Sequence, residues 1–111
     1  MPTPQTLDRT LTALADPTRR AILRRLSSGE ARVTEVAQPF GMSLNAVSKH
    51  ILVLERAKLV KRRKVGRDHY LSYRPEPLDT AAKWIAETRT FWATRLDALE
   101  KLLRDEDAAK R

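Results

Sequence analysis

Residues 34–67 read TEVAQPFGMSLNAVSKHILVLERAKLVKRRKVGR, two helical patterns broken at Phe40-Gly41-Met42-Ser43 and followed at once by four consecutive cations. The first pattern is brief. Val33 can form an extended link into it, Thr34 can cap it, Val36, Ala37 and Phe40 form its inward side, and Gly41 ends it. Ser43 is the next N-cap, its side-chain oxygen available to the free N–H groups of a helix from Leu44 to about Ala57. Within that helix Leu44, Val47, Ile51 and Leu54 follow the i, i+3, i+7, i+10 rhythm of one buried stripe. Its other face carries Asn45, Ser48, Lys49, Leu52 and Arg56. Short donors and acceptors in the first turns of such a helix suit the donor and acceptor code of a DNA major groove. An ordinary amphipathic helix also has a polar outside, and Leu52 is an apolar member of the proposed reading face.

The chain beyond this helix reads as a hairpin. Leu59-Val60 leads into Lys61-Arg62-Arg63-Lys64-Val65, then Gly66-Arg67-Asp68, then His69-Tyr70-Leu71-Ser72-Tyr73, two β-prone runs around a glycine turn. Alternation is expected to put Val65, Tyr70 or Leu71 on the packed side and to send the cations outward. A tip bearing Arg63, Lys64 and Arg67 can reach the negative potential of a neighbouring minor groove. Charge on an edge hairpin also guards against aggregation, though four cations in a row exceed that need.

Charge distribution agrees with a polyanionic partner. The chain has 111 residues, 22 Lys and Arg against 14 Asp and Glu, and a net charge of +8. Between Arg56 and Arg74 there are eight bases and one acid, leaving fourteen and thirteen elsewhere, so nearly all the excess sits in one segment. Cysteine is absent, which removes disulfides, thiolate nucleophiles and cysteine-based zinc sites. No apolar run approaches the ~20 residues of a membrane span, and Met1-Pro2-Thr3-Pro4 does not open a leader, so a cytoplasmic location and no membrane partner are expected. There is no glycine-rich phosphate loop and no Ser/His/acid set, so no enzyme is expected. The Pro-rich start and the charged end from Arg104 to Arg111 are expected to fray.

The flanks complete a mainly α chain of five helices and a small β-hairpin. Leu7, Leu11 and Leu14 mark a first helix ending near Ala15. Asp16-Pro17 supplies an N-cap and a proline at the first position of a second helix, which runs through Ala21, Ile22, Leu23 and Leu26 to a stop at Ser27-Ser28-Gly29. Near the other end Leu78, Ile85, Trp92 and Leu99 recur every seven residues, joined by Ala81, Ala82, Leu96, Leu102 and Leu103 and widened by Trp84 and Phe91. One small domain has little core left to cover so broad a face, so part of it is expected to meet a second subunit; closing the monomer's own core is the alternative.

The stretches Leu14-Ala15-Asp16-Pro17-Thr18-Arg19-Arg20-Ala21-Ile22-Leu23, Met42-Ser43-Leu44-Asn45-Ala46-Val47-Ser48-Lys49-His50-Ile51 and Leu59-Val60 through Gly66-Arg67 together resemble the ArsR/SmtB family of bacterial winged helix-turn-helix repressors. The likeness runs from about Leu7 to Leu103. It implies a homodimer that represses from a double-stranded, inverted-repeat operator, with the fourth helix in the major groove and the hairpin as a wing. The implied DNA contacts are Ser43, Asn45, Ser48, Lys49 and His50 on the helix, and Arg63, Lys64 and Arg67 on the wing. The expected dimer interface is Leu7, Leu11, Leu78, Ile85, Trp92 and Leu99. The expected division is a single domain: N-terminal helices at about 6–33, helix-turn-helix at 34–57, wing at 60–74 and dimerisation helix at 78–104.

Family members that sense metals do so through cysteines on the third helix or through Asp, His and Glu on the last. Here residues 34–40 hold no thiol, the last helix holds no histidine, and His50 and His69 lie elsewhere. The resemblance therefore implies a subgroup without metal or cofactor, its inducer undefined. Lys58 stands where relatives commonly have glycine, and a left-handed backbone there would cost roughly 1 kcal/mol. The competing reading from another class is a sequence-nonspecific architectural or protein-interaction module with a basic hairpin.

Overall fold

A computed structural model describes residues 4–110; the start through Thr3 and the terminal Arg111, both expected to fray, lie outside the described residues. In chain order the elements are α1 (Pro4–Leu14), α2 (Pro17–Leu26), β1 (Ala31–Arg32), α3 (Val33–Ala37), α4 (Leu44–Arg56), β2 (Val60–Val65), β3 (Asp68–Tyr73) and α5 (Glu76–Ala109). Residues through Ala81 form one compact unit and those from Ala82 a second.

The corner between α1 and α2 is built from adjacent residues. Asp16 is extended, and its Oδ2 accepts from the Arg19 backbone N–H at 3.0 Å, while Pro17 occupies the first helical position. The last carbonyls of α1 have no partners within the helix. Arg19 and Arg20 turn back to supply them: Arg19 Nε donates to Ala13 O at 2.8 Å and Nη2 to Thr12 O at 2.9 Å, and Arg20 Nη1 donates to Leu14 O at 2.8 Å. Two guanidinium groups at a helix C-terminus also meet the negative end of its dipole.

The core is a continuous apolar cluster of Ala13, Ile22, Leu23, Leu26, Ala31, Val36, Val47, Ile51, Leu54, Leu59, Val60 and Leu71, with Ala57 at its edge. The stripe expected on α4 is correct for Val47, Ile51 and Leu54, each fully buried, but wrong for Leu44, which is 51 % exposed. Leu44 is the first helical residue, a turn before the point where the helix enters the core.

Two boundaries differ from the sequence reading. The third helix begins at Val33 behind Arg32, which gives no side-chain cap bond, and ends at Ala37 rather than at Gly41. The cause is a strand that local pattern does not show: Ala31 pairs with Leu71 and Arg32 with Tyr70, so the chain is held extended up to Arg32. The sheet is therefore three-stranded and antiparallel, in the order β1-β3-β2. The other boundary is the C-terminal one. The expected frayed end is helical to Ala109, with Glu100–Arg104 and Glu106–Lys110 paired one turn apart.

β2 and β3 pair from Val60↔Tyr73 to Val65↔Asp68, leaving Gly66 and Arg67 as a two-residue turn. Gly66 has φ 61, the left-handed value that a II′ hairpin turn places at its first central position. Alternation puts Val60, Arg62 and Lys64 on one face with His69, Leu71 and Tyr73, and Lys61, Arg63 and Val65 on the other with Asp68, Tyr70 and Ser72. Leu71 is buried as expected, but Val65 lies at the tip on the outer face and is half exposed. Nor can a strand send four consecutive cations the same way.

Helix α4 ends in a Schellman turn. The Leu59 N–H reaches Leu54 O and the Lys58 N–H reaches Glu55 O, both at 3.0 Å, with Lys58 left-handed at φ 62. A lysine Cβ in that conformation is strained, as the sequence comparison anticipated. Lys58→Gly should stabilise the chain by about 1 kcal/mol, and Lys58→Asn by less, measured by urea denaturation.

Candidate nucleic-acid interface

The expected reading face lies on the outer side of α4. Ser43 caps the helix through Oγ, which accepts from the Ala46 N–H at 3.1 Å, and its hydroxyl proton remains available to donate. Asn45 and Lys49 are exposed, Ser48 is half-buried, and Leu52 and Arg56 are exposed below them. Among the described residues, Asn45, Ser48 and Lys49 have no side-chain partner. Ser48 also lines a groove of about 250 Å³ between α4 and the hairpin tip, together with Thr34, Leu44 and Arg67. One predicted helix residue and one predicted tip residue thus border the same recess. A larger cleft of about 600 Å³ between α1 and α4, lined by Arg9, Arg56 and Lys58, contains none of the expected contact residues.

The hairpin cations divide into two groups. Lys61, Lys64 and Arg67 are exposed and, among the described residues, have no ion pair. Arg63 is engaged: its guanidinium bonds Glu30 at 2.6 Å and lies over the Tyr70 ring, 4.9 Å from the centroid. Arg62 bonds Glu55 of α4 at 2.6 Å and meets His69 Nδ1 at 3.1 Å. The Glu30 carboxyl is held below its usual range chiefly by the Arg63 hydrogen bond, and the Arg63 guanidinium is raised by the same contact.

His50, expected among the helix contacts, has its Nδ1 turned toward the α1–α2 corner. That atom is 3.3 Å from Arg19 Nη1 and 3.8 Å from Asp16 Oδ2, and the side chain is 21 % exposed. Arginine can only donate, so this bond requires the lone pair of His50 Nδ1. Arg19 thereby joins three helices, closing α1, capping into α2 and touching α4. Asp16, Arg19, Glu30 and Glu55 were not among the site residues expected from sequence. Asp16 and Arg19 stand in a motif that was read for its cap and for the family resemblance but not for a contact with α4, and Glu30 is thirty-three positions from its partner.

The expected dimer residues fall into two kinds. Leu78 is half-buried against the core and Leu7 is half-buried, while Leu11 is 37 % exposed. On α5, only Ala81 is buried; Trp84, Ile85, Phe91, Trp92, Leu96, Leu99, Leu102 and Leu103 are all exposed in the single chain. Among the described residues, no group of three His, Asp or Glu side chains converges as a metal site would require. Among the described residues, no helix is long and apolar enough to cross a membrane.

A helix-turn-helix domain model matches residues 14–63. The HTH-type transcriptional regulator Rv2034 of Mycobacterium tuberculosis is 39 % identical over 106 residues, covering 96 % of each chain. The crystal structure of the ArsR family transcriptional regulator RHA00566 is similar with a TM-score of 0.79 at 41 % identity, over 83 % of this chain and 95 % of that one. The chain belongs to the ArsR family. The homodimeric winged helix-turn-helix DNA-binding domain Mb0332 from Mycobacterium bovis is similar with a TM-score of 0.60 at 27 % identity, over 83 % of this chain and 82 % of that domain. As an ArsR-family winged helix-turn-helix protein, the chain is a DNA-binding transcriptional regulator and not an enzyme.

The Arg19 joint ties α4 to the corner between α1 and α2. Arg19→Ala should cost about 1.5–3 kcal/mol in urea denaturation, the range for hydrogen bonds made by a charged group. Arg20→Ala, which removes one bond on an exposed side, should cost less.

Proposed function

We propose that this ArsR-family chain is a cytoplasmic repressor that binds an inverted-repeat operator as a homodimer, without a bound metal. The observation that carries the dimer is the bare apolar face of α5 from Trp84 to Leu103, too large a contiguous patch to leave in water. A second copy of the same helix is its natural cover, because an isologous pair places each stripe against itself. The homodimeric state of the Mycobacterium bovis domain supports the same reading.

Two-fold pairing would set two copies of α4 about 34 Å apart, one turn of DNA, which is the geometry an inverted repeat requires. Asn45, Ser48 and Lys49, with the Ser43 hydroxyl, then read base edges. Lys64 and Arg67 hold the phosphate backbone from the wing. His50 supports α4 from behind, and Arg63 is held by Glu30 on the outer face of the wing rather than touching bases. A repressor acts here simply by occupying the operator. The metal-free reading is supported by the absence of cysteine from the sequence and of histidine from α5.

The dimer is tested with Trp92→Glu/Leu99→Glu, which places charge in the middle of the stripe. Sedimentation should show a monomer that retains the helical signal of the first unit, with selective operator binding lost; a persistent dimer would overturn the proposed interface. The contact roles are tested by competing an operator, isolated by selection from random duplexes, against random DNA. Asn45→Ala and Lys49→Ala should each lose about 1–3 kcal/mol at the operator and little on random DNA, while Lys64→Ala weakens both alike. Equal wild-type affinity for both duplexes would favour a sequence-nonspecific module.

A further inference from the structure

The four-cation run does not present four cations to a ligand. Because β2 alternates, Arg62 lies on the core side opposite Leu71, and Arg63 on the outer side opposite Tyr70. Each meets an acid from outside the hairpin, Glu30 of the loop before β1 and Glu55 of α4. Arg63 Nη2 donates to Glu30 Oε1 at 2.6 Å and Nε to Oε2 at 3.4 Å, so the guanidinium fork spans both carboxylate oxygens. Arg62 Nε and Nη2 share Glu55 Oε1 at 3.2 and 2.6 Å. A guanidinium held by a carboxylate is neutralised as a pair, and its Nε and Nη2 edge is free for a phosphate only once the carboxylate leaves. Until then it displaces no counterion from DNA, and the sequence-blind part of binding is smaller by that contact.

We infer that Glu30 is a specificity-determining residue, one that withholds Arg63 from the DNA backbone and leaves the wing's sequence-blind affinity to Lys61, Lys64 and Arg67, its cations without an ion pair among the described residues. The inference rests on the wing placement proposed above. Of the two acids, Glu30 is the one whose removal frees a cation. The Arg63 and Glu30 side chains are 57 % and 38 % exposed, whereas Arg62 and Glu55 are 30 % and 24 % exposed, with His69 closing on Arg62. Arg62 is thus a positioning residue that ties the wing to α4. Arg63 sits at the surface, with a carboxylate in the place a phosphate would take. Tyr70 beneath it keeps the guanidinium in that place when the carboxylate is gone.

The test measures affinity of the full chain for a random-sequence duplex by fluorescence anisotropy across a salt series. Glu30→Gln keeps the shape of the side chain and removes its charge. It should tighten random binding about threefold to tenfold at low salt and steepen the slope of log K against log salt by about 0.9, the increment for one phosphate contact. Glu87→Gln, an equal change of net charge on α5, should not steepen the slope. Glu30→Gln/Arg63→Gln should return the slope to the wild-type value, and Arg63→Gln alone should leave it there, while Lys64→Gln lowers it by about 0.9. The inference is overturned if Glu30→Gln is no steeper than Glu87→Gln, or if Arg63→Gln lowers the slope as much as Lys64→Gln does. The last comparison also decides the matter should Glu30→Gln fold poorly. If Lys64→Gln leaves the slope unchanged, the wing placement itself fails and the inference falls with it; if only the Glu30 arm fails, the wing placement stands.

Discussion

Burial of Val47, Ile51 and Leu54 determines everything the molecule can do with α4. Three fully buried side chains on one stripe fix the rotation of the helix about its own axis, and a different rotation would exchange apolar residues for polar ones in the core. With that rotation fixed, Asn45 and Lys49 have to face outward. The surrounding elements then set where the helix sits. α2 and the sheet supply the opposing apolar surface, Arg19 ties its middle to the α1–α2 corner through His50, and Glu55 ties its end to the wing through Arg62. The proposed reading face is therefore a by-product of packing on the opposite side of the same helix. This is the kind of rigid support that base recognition needs, since the discriminating hydrogen bonds tolerate little displacement.

Charge plays two roles that net totals conceal. Arg19, Arg20, Arg62 and Arg63 bond carbonyls, carboxylates or histidine nitrogens within the chain and so act as structural donors. Arginine suits this work because its planar fork can serve two or three acceptors at once. The lysines differ. Lys49, Lys61 and Lys64 are exposed and without ion pairs among the described residues, as mobile point charges facing a polyanion should be. Arg67 at the hairpin tip stands with these lysines, exposed and likewise without an ion pair among the described residues, so position in the fold decides the division as well as residue type.

The parts legible from sequence are local. Asp16-Pro17 and Ser43 announce helix starts because a cap is made by residues three apart, and the period of Val47, Ile51 and Leu54 reports one helix face without reference to the rest of the fold. What stayed hidden depends on distant partners. β1 is two residues long and exists only because Leu71 and Tyr70 lie alongside it, so no periodicity could reveal it, and the start of α3 was misplaced for the same reason. The expectation that four cations share one direction ignored strand alternation, which was readable. The acids that neutralise two of them were not, since nothing near Glu30 points to a residue so far along the chain. His50 looked like a surface histidine on the helix until Arg19, thirty-one positions earlier, gave it an internal partner.

The Ser43 cap carries one more consequence. It satisfies one backbone N–H of α4, and the first turn contains no acidic residue, so the positive end of the helix dipole, roughly half an elementary charge, is not cancelled by the helix's own side chains. Ser43, Leu44 and Asn45 are all exposed around it. A phosphate brought to this end of α4 would meet a positive field set by the peptide backbone itself. It depends on how the helix begins, and no exchange of lysine or arginine elsewhere can remove it.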